Sequence, residues 1–435
     1  MREQSVNQSR RAFLSVSAAG AINLLTRSAA TAQSDTPPVT GVMNANLEVF
    51  DTLMTKFITE NKTPGASLAV SRYGKLVYAR GFGSADVDAK KSVEPAALFR
   101  IASVSKPITA VAILQLIEKG KLKFEDKVVD RMTLKPFVEK DNEPDPRWRL
   151  ITVRQCLQHR GGWDRDKSFD PIGRPGIIAK TLGQSLPVTP ADVVRYMMAQ
   201  PLDFDPGERF AYSNLGYLIL GRILEAISGR KYEEYVKTEV LAPLGIRNMT
   251  LGRARKENAA KREVTYYDPK NRKGAATVPP KLEEQVPVQY GVHNFEGYEA
   301  HGGWIASAVD LVKFASAFDT PSKCPILSAK SIGEMWAKPE GVASNKPKPS
   351  HYACGWNVLP AGQSGGLNTW HTGFITGSES LLVRRHDGLC WAVLFNTSNN
   401  PEGKYLTRLI DAPLHEAADK VITWPENDQF ADLLK

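Results

Sequence analysis

The sequence predicts an α+β protein in which one antiparallel sheet is assembled from both ends of the chain, with a mainly helical region inserted between them. Three observations carry the prediction. Two strand-like runs, "GASLAVSR" and "KLVYARGFG", meet around Tyr73 and Gly74 near the start. Two more, "SESLLVRR" and "GLCWAVLFNT", are joined by "HDG" near the end. Between Ser103 and about residue 320, helical apolar spacing and loops dominate. A two-stranded hairpin is marginal alone, so the terminal hairpins are expected to pair with each other.

Taken in order, residues 1–32 read as a twin-arginine export signal. Arg10 and Arg11 precede an apolar run from Ala12 to Leu25, and Ala30 and Ala32 supply a small-x-small cleavage site. The run falls short of the roughly 20 apolar residues of a membrane span, so a periplasmic or secreted protein is expected. Residues 33–44 read as a linker. "NLEVFDTLMTKFITEN" has helical spacing and leads into the first hairpin. A single domain over 45–420 follows, with its sheet region at 45–102 and 350–420 and its helical region at 103–349. Helices are predicted at "ITAVAILQLIEKG", "PADVVRYMMAQ", "NLGYLILGRILEAISG" and "ASAVDLVKFASAF", with a closing helix around "YLTRLIDAPLHEAADK". Polar or proline-rich stretches at 133–149, 164–187 and 252–300 read as surface loops, and 421–435 as a C-terminal tail.

A chain of 435 residues with 42% hydrophobic content can bury a large core. Four arginines less Glu3 give the leader +3 of the formal +9, which leaves a mildly basic remainder. No basic stripe interleaved with aromatics is present, so nucleic acid is not an expected partner. A small-molecule or peptide substrate is; no pattern speaks to oligomeric state. Cys156, Cys324, Cys354 and Cys390 allow three disulfide pairings, although Cys156 and Cys390 sit in apolar runs and read as buried free thiols. There is no CxxC or HExxH spacing, and neither a metal nor another cofactor is expected.

The chemistry concentrates in "FRIASVSKPITA", residues 99–110. Positions three apart on a helix lie about 60° apart around its axis, so Ser103 and Lys106 share a face and Ser105 turns away. Pro107 cannot donate to the carbonyl of residue 103, which places Ser103 at a helix mouth, where free N–H groups and the dipole favour an oxyanion. The following residues are apolar nearly all round, so the helix should be buried and Lys106 partly neutral, able to take a serine proton. A second Ser-x-x-Lys, Ser228 to Lys231, follows a helix and contains Gly229, which fits a cap. A competing set also exists. "GQSGG" places Ser364 in a Gly-x-Ser-x-Gly pattern, His301 lies upstream in "HGGW", and Asp411 and His415 follow in triad order. That elbow requires a strand before the serine and a helix after it, whereas "LNTWHTGFITG" reads as strand and turn. An α/β-hydrolase-type esterase using Ser364 is the alternative, together with a non-catalytic binding protein on the predicted fold.

Five ordered segments, "LFRIASVSKPITA", "ITVRQCLQHRGGW", "ERFAYSNLGYLILGRILEAISGRKYEEYVKTEVLAPLGIRNMTL", "HGGWIASAVDLVKF" and "WHTGFITGSES", closely resemble the serine β-lactamase-related family. That family includes class C β-lactamases, DD-peptidases, D-aminopeptidases and β-lactamase-like esterases. The resemblance implies a penicillin-binding fold with its site between sheet and helical region, and a serine hydrolase acting through an acyl-enzyme on an ester, amide or β-lactam carbonyl. Ser103 then matches the nucleophile and Lys106 its partner. Tyr212 and Asn214, in "YSN", match a proton shuttle and a residue positioning substrate and Lys106. His371, Thr372 and Gly373, in "HTG", match the substrate-binding strand, and backbone N–H groups of Ser103 and Phe374 match the oxyanion hole. Class C β-lactamases carry Lys where this chain has His371, which lowers the expectation of efficient β-lactam turnover. His159 and His301 also have family counterparts and read as satisfied polar groups near turns. Gly162 and Gly303 read as positions whose backbone is closed to other residues.

Overall fold

The computed structural model describes residues 36–137, 143–341, 349–362 and 365–433. The stretch read as an export signal, residues 1–32, and Ser364 lie outside the described residues. Helix α1 (Glu48–Glu60) buries Phe50, Met54, Phe57 and Ile58 as one stripe and leads into β1 (Gly65–Arg72) and β2 (Lys75–Asp86). Short β3 (Phe99–Arg100) passes through a 3-10 turn at Ala102–Val104 into α2 (Ser105–Glu118). The helical region follows with α3 (Asn214–Ser228), and after β4 (Trp304–Ala306) comes α4 (Ala308–Ser316). The chain then returns to the sheet through β5 (Asn357–Ala361), β6 (Gly366–Ile375), β7 (Ser378–Arg384) and β8 (Leu389–Phe395), and closes with α5 (Leu406–Asp419).

The two ends meet where β8 pairs antiparallel with β1, Trp391 opposite Val70 and Phe395 opposite Ala66. Among the described residues the sheet has nine strands: eight run from Val39–Thr40 through β2, β1, β8, β7, β6 and β5 to His351–Tyr352, and Lys91–Ser92 pairs with β2 off this path. One face, with Leu68, Val70, Trp391 and Val393, packs on α1 and α5. The other face, with Ala69, Ala392 and Leu394, packs on the helical region. Because both faces are covered, "LCWAVLF" is buried at every position, and its sequence is continuously apolar instead of alternating. Helix α2 is buried from Ser105 to Leu116, as a helix without a polar face must be. Among the described residues, no helix is long and apolar enough to cross a membrane.

Two expectations change. The 252–300 stretch is not surface decoration: Val264, Tyr266, Val278 and Phe295 are buried, held by contacts that have no periodicity in sequence. The described part of the predicted tail, 421–433, docks on the sheet, because Phe430 is buried and the Gln429 N–H donates to the Leu76 carbonyl on β2 (3.0 Å). Cys156 and Cys390 are buried free thiols, as expected, and Cys324 and Cys354 are free as well.

Candidate active site

The turn after β3 is built against the sheet. Ser378 Oγ donates to the Arg100 carbonyl and Ser380 Oγ to the Ile101 carbonyl, each at 2.7 Å, while the Ile101 N–H donates to the Trp304 carbonyl on β4 (3.0 Å). Held on both sides, Ala102 adopts φ +44°, a left-handed conformation that costs a non-glycine residue on the order of 1 kcal/mol or more. This turn delivers Ser103 to the N-terminal end of α2, in a cleft of about 260 Å³ lined also by Asp170, Asn214, His301 and Phe374. Ser105 is fully buried and its hydroxyl accepts from the Trp304 N–H (3.4 Å). The helix therefore separates the two serines as their spacing predicted.

Lys106 is completely buried. Its Nζ lies 3.0 Å from Ser103 Oγ, 2.9 Å from Asn214 Oδ1 and 2.7 Å from the His301 carbonyl. Burial pulls its pKa well below the usual lysine value, the Asp170 carboxylate opposes this, and the Arg165 guanidinium adds to it. A neutral amine fits the geometry: two N–H groups satisfy the two carbonyl oxygens and the lone pair faces the Ser103 hydroxyl. Asn214 opens α3, and its Nδ2 donates to Asp170 Oδ2 (2.7 Å), which leaves Oδ1 as the atom turned toward Lys106. Tyr212 stands beside Ser103; burial pushes its phenol upward, against the Ser103 hydroxyl and Arg165, so it stays protonated at neutral pH. Lys106 Nζ and the Arg165 guanidinium sit 4.9 and 4.8 Å from its ring centre.

Strand β6 carries the third motif. Gly373 lies so close to the nucleophile turn that a Cβ would sit 2.1 Å from the Ile101 carbonyl oxygen and 2.2 Å from Ser380 Oγ. Gly373→Ala is expected to push the strand and the turn apart, costing about 1–3 kcal/mol in urea unfolding and about 100-fold in the rate of Ser103 labelling. Phe374 lines the cleft while its ring meets Tyr405 edge-on at 5.1 Å, and Thr372 is exposed. His371 differs from its expected part. Its Nδ1–H donates to the Thr372 carbonyl (2.7 Å) and its Nε2 accepts from the Tyr352 hydroxyl (3.0 Å). Burial and then the neighbouring Lys106 lower its pKa to about 3, so the ring is neutral, enclosed and fully engaged within the protein.

A family model described as Beta-lactamase matches residues 50–414. The chain belongs to the β-lactamase family. It is 30% identical over 322 residues to Penicillin-binding protein 4* of Bacillus subtilis, which covers 72% of this chain and 64% of that protein, so the chain spans less than two thirds of this relative. Among solved structures, it resembles the octameric penicillin-binding protein homologue from Pyrococcus abyssi, with 27% identity, 83% of this chain and 76% of that one covered, and a TM-score of 0.61. It shares its fold with the D-amino acid amidase from Ochrobactrum anthropi, with a TM-score of 0.64 at 20% identity over 86% of this chain and 98% of that one. The family is one of serine hydrolases with a penicillin-binding fold.

Within this β-lactamase-family site, the structure brings Ser103, Lys106, Tyr212 and Asn214 together from segments more than 100 residues apart. The competing set does not assemble. Ala361 pairs with Gly366 across a hairpin, so a strand, not a helix, follows position 364. Asp411 and His415 lie 3.8 Å apart on α5, which covers the outer face of the sheet. Ser228 ends α3, its hydroxyl accepting from the Arg230 N–H, and Gly229 caps that helix at φ +69°. Gly162 has φ +108°, as expected, but Gly303 has φ −90° and is required for space, since a Cβ would meet the Glu299 N at 2.4 Å. His159 and His301 are not fully satisfied: Nε2 of each is buried without a hydrogen-bond partner among the described residues. Sequence reasoning missed Asp170, which sits in a stretch read as surface loop. Its Oδ1 accepts from the Ile172 N–H (3.2 Å), so an Asp-Pro pair before a turn looks like an ordinary cap and hides the second contact, to Asn214.

Proposed function

We propose that the protein is an exported serine acyl hydrolase in which Ser103 forms an acyl-enzyme. The observation that carries this reading is the buried Lys106 amine, aimed at Ser103 Oγ and held by two carbonyl oxygens. As Oγ bonds to the substrate carbonyl carbon, its proton passes to the Lys106 lone pair, and the N–H groups of Ser103 and Phe374 receive the developing oxyanion. Lys106 then returns the proton through the Tyr212 hydroxyl to the leaving nitrogen or oxygen as its bond to carbon breaks. Water, activated the same way, releases the acid and restores Ser103. Asn214 keeps Lys106 in place and offers its amide to the substrate. Export is supported by the arginine pair, apolar run and cleavage site of the leader.

Intact-protein mass after exposure to a fluorophosphonate is expected to show one adduct, mapped to Ser103 and absent in Ser103→Ala. An adduct on Ser364, or one that survives Ser103→Ala, would overturn the assignment. The substrate is an ester or an unstrained amide ahead of a β-lactam, because the neutral His371 presents no cation and Asp170 places a carboxylate at the cleft wall. Parallel rates on a p-nitrophenyl ester, a D-Ala-D-Ala peptide and nitrocefin test this, and nitrocefin as the fastest of the three would reverse it.

A further inference from the structure

Tyr212 lies in a stretch without helix or strand, immediately before α3, yet the proton path asks for a fixed hydroxyl. One residue holds it from three directions. The His159 carbonyl accepts from the Ala211 N–H (2.9 Å), its Nδ1 accepts from the Ser213 N–H (3.2 Å), and its ring lies against the Tyr212 ring with centroids 4.2 Å apart. Both backbone neighbours of Tyr212 and its ring thus rest on His159. The imidazole also meets Tyr352, with centroids 4.5 Å apart, and Tyr352 is anchored by its hydroxyl on His371. Ring contacts therefore connect the "HTG" histidine through Tyr352 and His159 to the tyrosine of "YSN".

The arrangement is held under constraint. His159 has φ +55°, a left-handed conformation uncommon for a non-glycine residue, and is 1% exposed. Accepting from Ser213 puts the ring proton on Nε2, which has no partner among the described residues. Protonating Nδ1 would break the Ser213 bond, and burial with the nearby Lys106, His371 and Arg165 opposes it. A residue kept only for packing would not need an acceptor at Nδ1.

Resting on the acyl-enzyme reading above, we infer that His159 is a positioning residue for Tyr212, acting through the Ser213 N–H and the ring stack without touching substrate. The test compares His159→Asn, whose Oδ1 can replace Nδ1 and which tolerates a left-handed backbone, with His159→Leu, which fills space but accepts nothing. With a p-nitrophenyl ester, His159→Leu is expected to lower kcat about 100-fold with little change in KM. His159→Asn should recover most of that loss. In a Tyr212→Phe background, His159→Leu should add less than about threefold, because the residue it positions has already lost its hydroxyl. Circular dichroism and thermal unfolding of each variant separate misfolding from misplacement. Equal losses in the Asn and Leu variants, or a full multiplicative loss in the Tyr212→Phe background, would overturn the inference. A wild-type protein that is labelled at Ser103 while His159→Leu keeps its full rate sinks this inference alone; a wild-type protein not labelled at Ser103 sinks the acyl-enzyme reading with it.

Discussion

Lys106→Arg is expected to lower the rate of Ser103 acylation by about 1,000-fold or more, within the range a positioned general base supplies. Arginine keeps the reach but stays protonated at any working pH, so it cannot accept the serine proton. It would also add donors where, among the described residues, Lys106 Nζ hydrogen-bonds to three oxygens: Ser103 Oγ, Asn214 Oδ1 and the His301 carbonyl. The wild-type rate should rise with pH through a single ionisation lying well below the usual lysine value, because burial lowers the Lys106 pKa and the neutral amine is the active form. Two neighbours allow the sign to be checked. Asp170 favours the ammonium, so Asp170→Asn should move the acid limb to lower pH; Arg165 disfavours it, so Arg165→Gln should move the limb higher. Single-turnover labelling across pH measures all three. An unchanged limb in Lys106→Arg would assign the ionisation to another group.

The same residues explain which parts of the site sequence could reach. Ser103 and Lys106 stand one helical turn apart, so local periodicity was enough to place them on a shared face and to set Ser105 aside. Burial of Lys106 followed from the apolar residues around it, since α2 has no polar face. Pairing of the terminal hairpins was legible because neither could be stable alone, and β8 on β1 is that pairing. The second motif reached its place by resemblance; a tyrosine before a helical run has no local signature that separates packing from proton transfer. Asp170 and Arg165 were invisible for a different reason. Their effect depends on charge across space, and Asp170 also satisfies a local turn, so the nearer explanation concealed the farther one. His371 was legible as a motif position, but its enclosure by Tyr352 and the Thr372 carbonyl arises from long-range packing that no spacing encodes.

Arg100→Met is expected to destabilise the fold by about 3–5 kcal/mol, the cost of breaking a buried charged network by removing one partner. Arg100 is 3% exposed and ends β3, three residues before Ser103. Its guanidinium donates to the Gln289 carbonyl (2.6 Å) and the Arg253 carbonyl (2.7 Å), and sits 4.4 Å from the Tyr266 ring centre and 4.7 Å from that of Phe295. Its Nε lies 3.9 Å from Glu263, whose carboxyl burial already raises toward the protonated form. Methionine would fill much of the volume but leave the two part-buried carbonyls without this donor and Glu263 without its cation. Arg100→Lys should recover only part of the loss, since one ammonium cannot reproduce a planar fork between two carbonyls and an aromatic face. Because these partners lie in the 252–300 stretch and Arg100 adjoins the nucleophile turn, losing them should also slow Ser103 labelling under conditions where the variant remains folded. Urea unfolding followed by tryptophan fluorescence, with labelling measured on the folded plateau, tests both effects. A loss below about 1 kcal/mol with an unchanged labelling rate would mean that the stretch is held by its own apolar residues, Val278 and Phe295 among them, and that Arg100 is not its anchor.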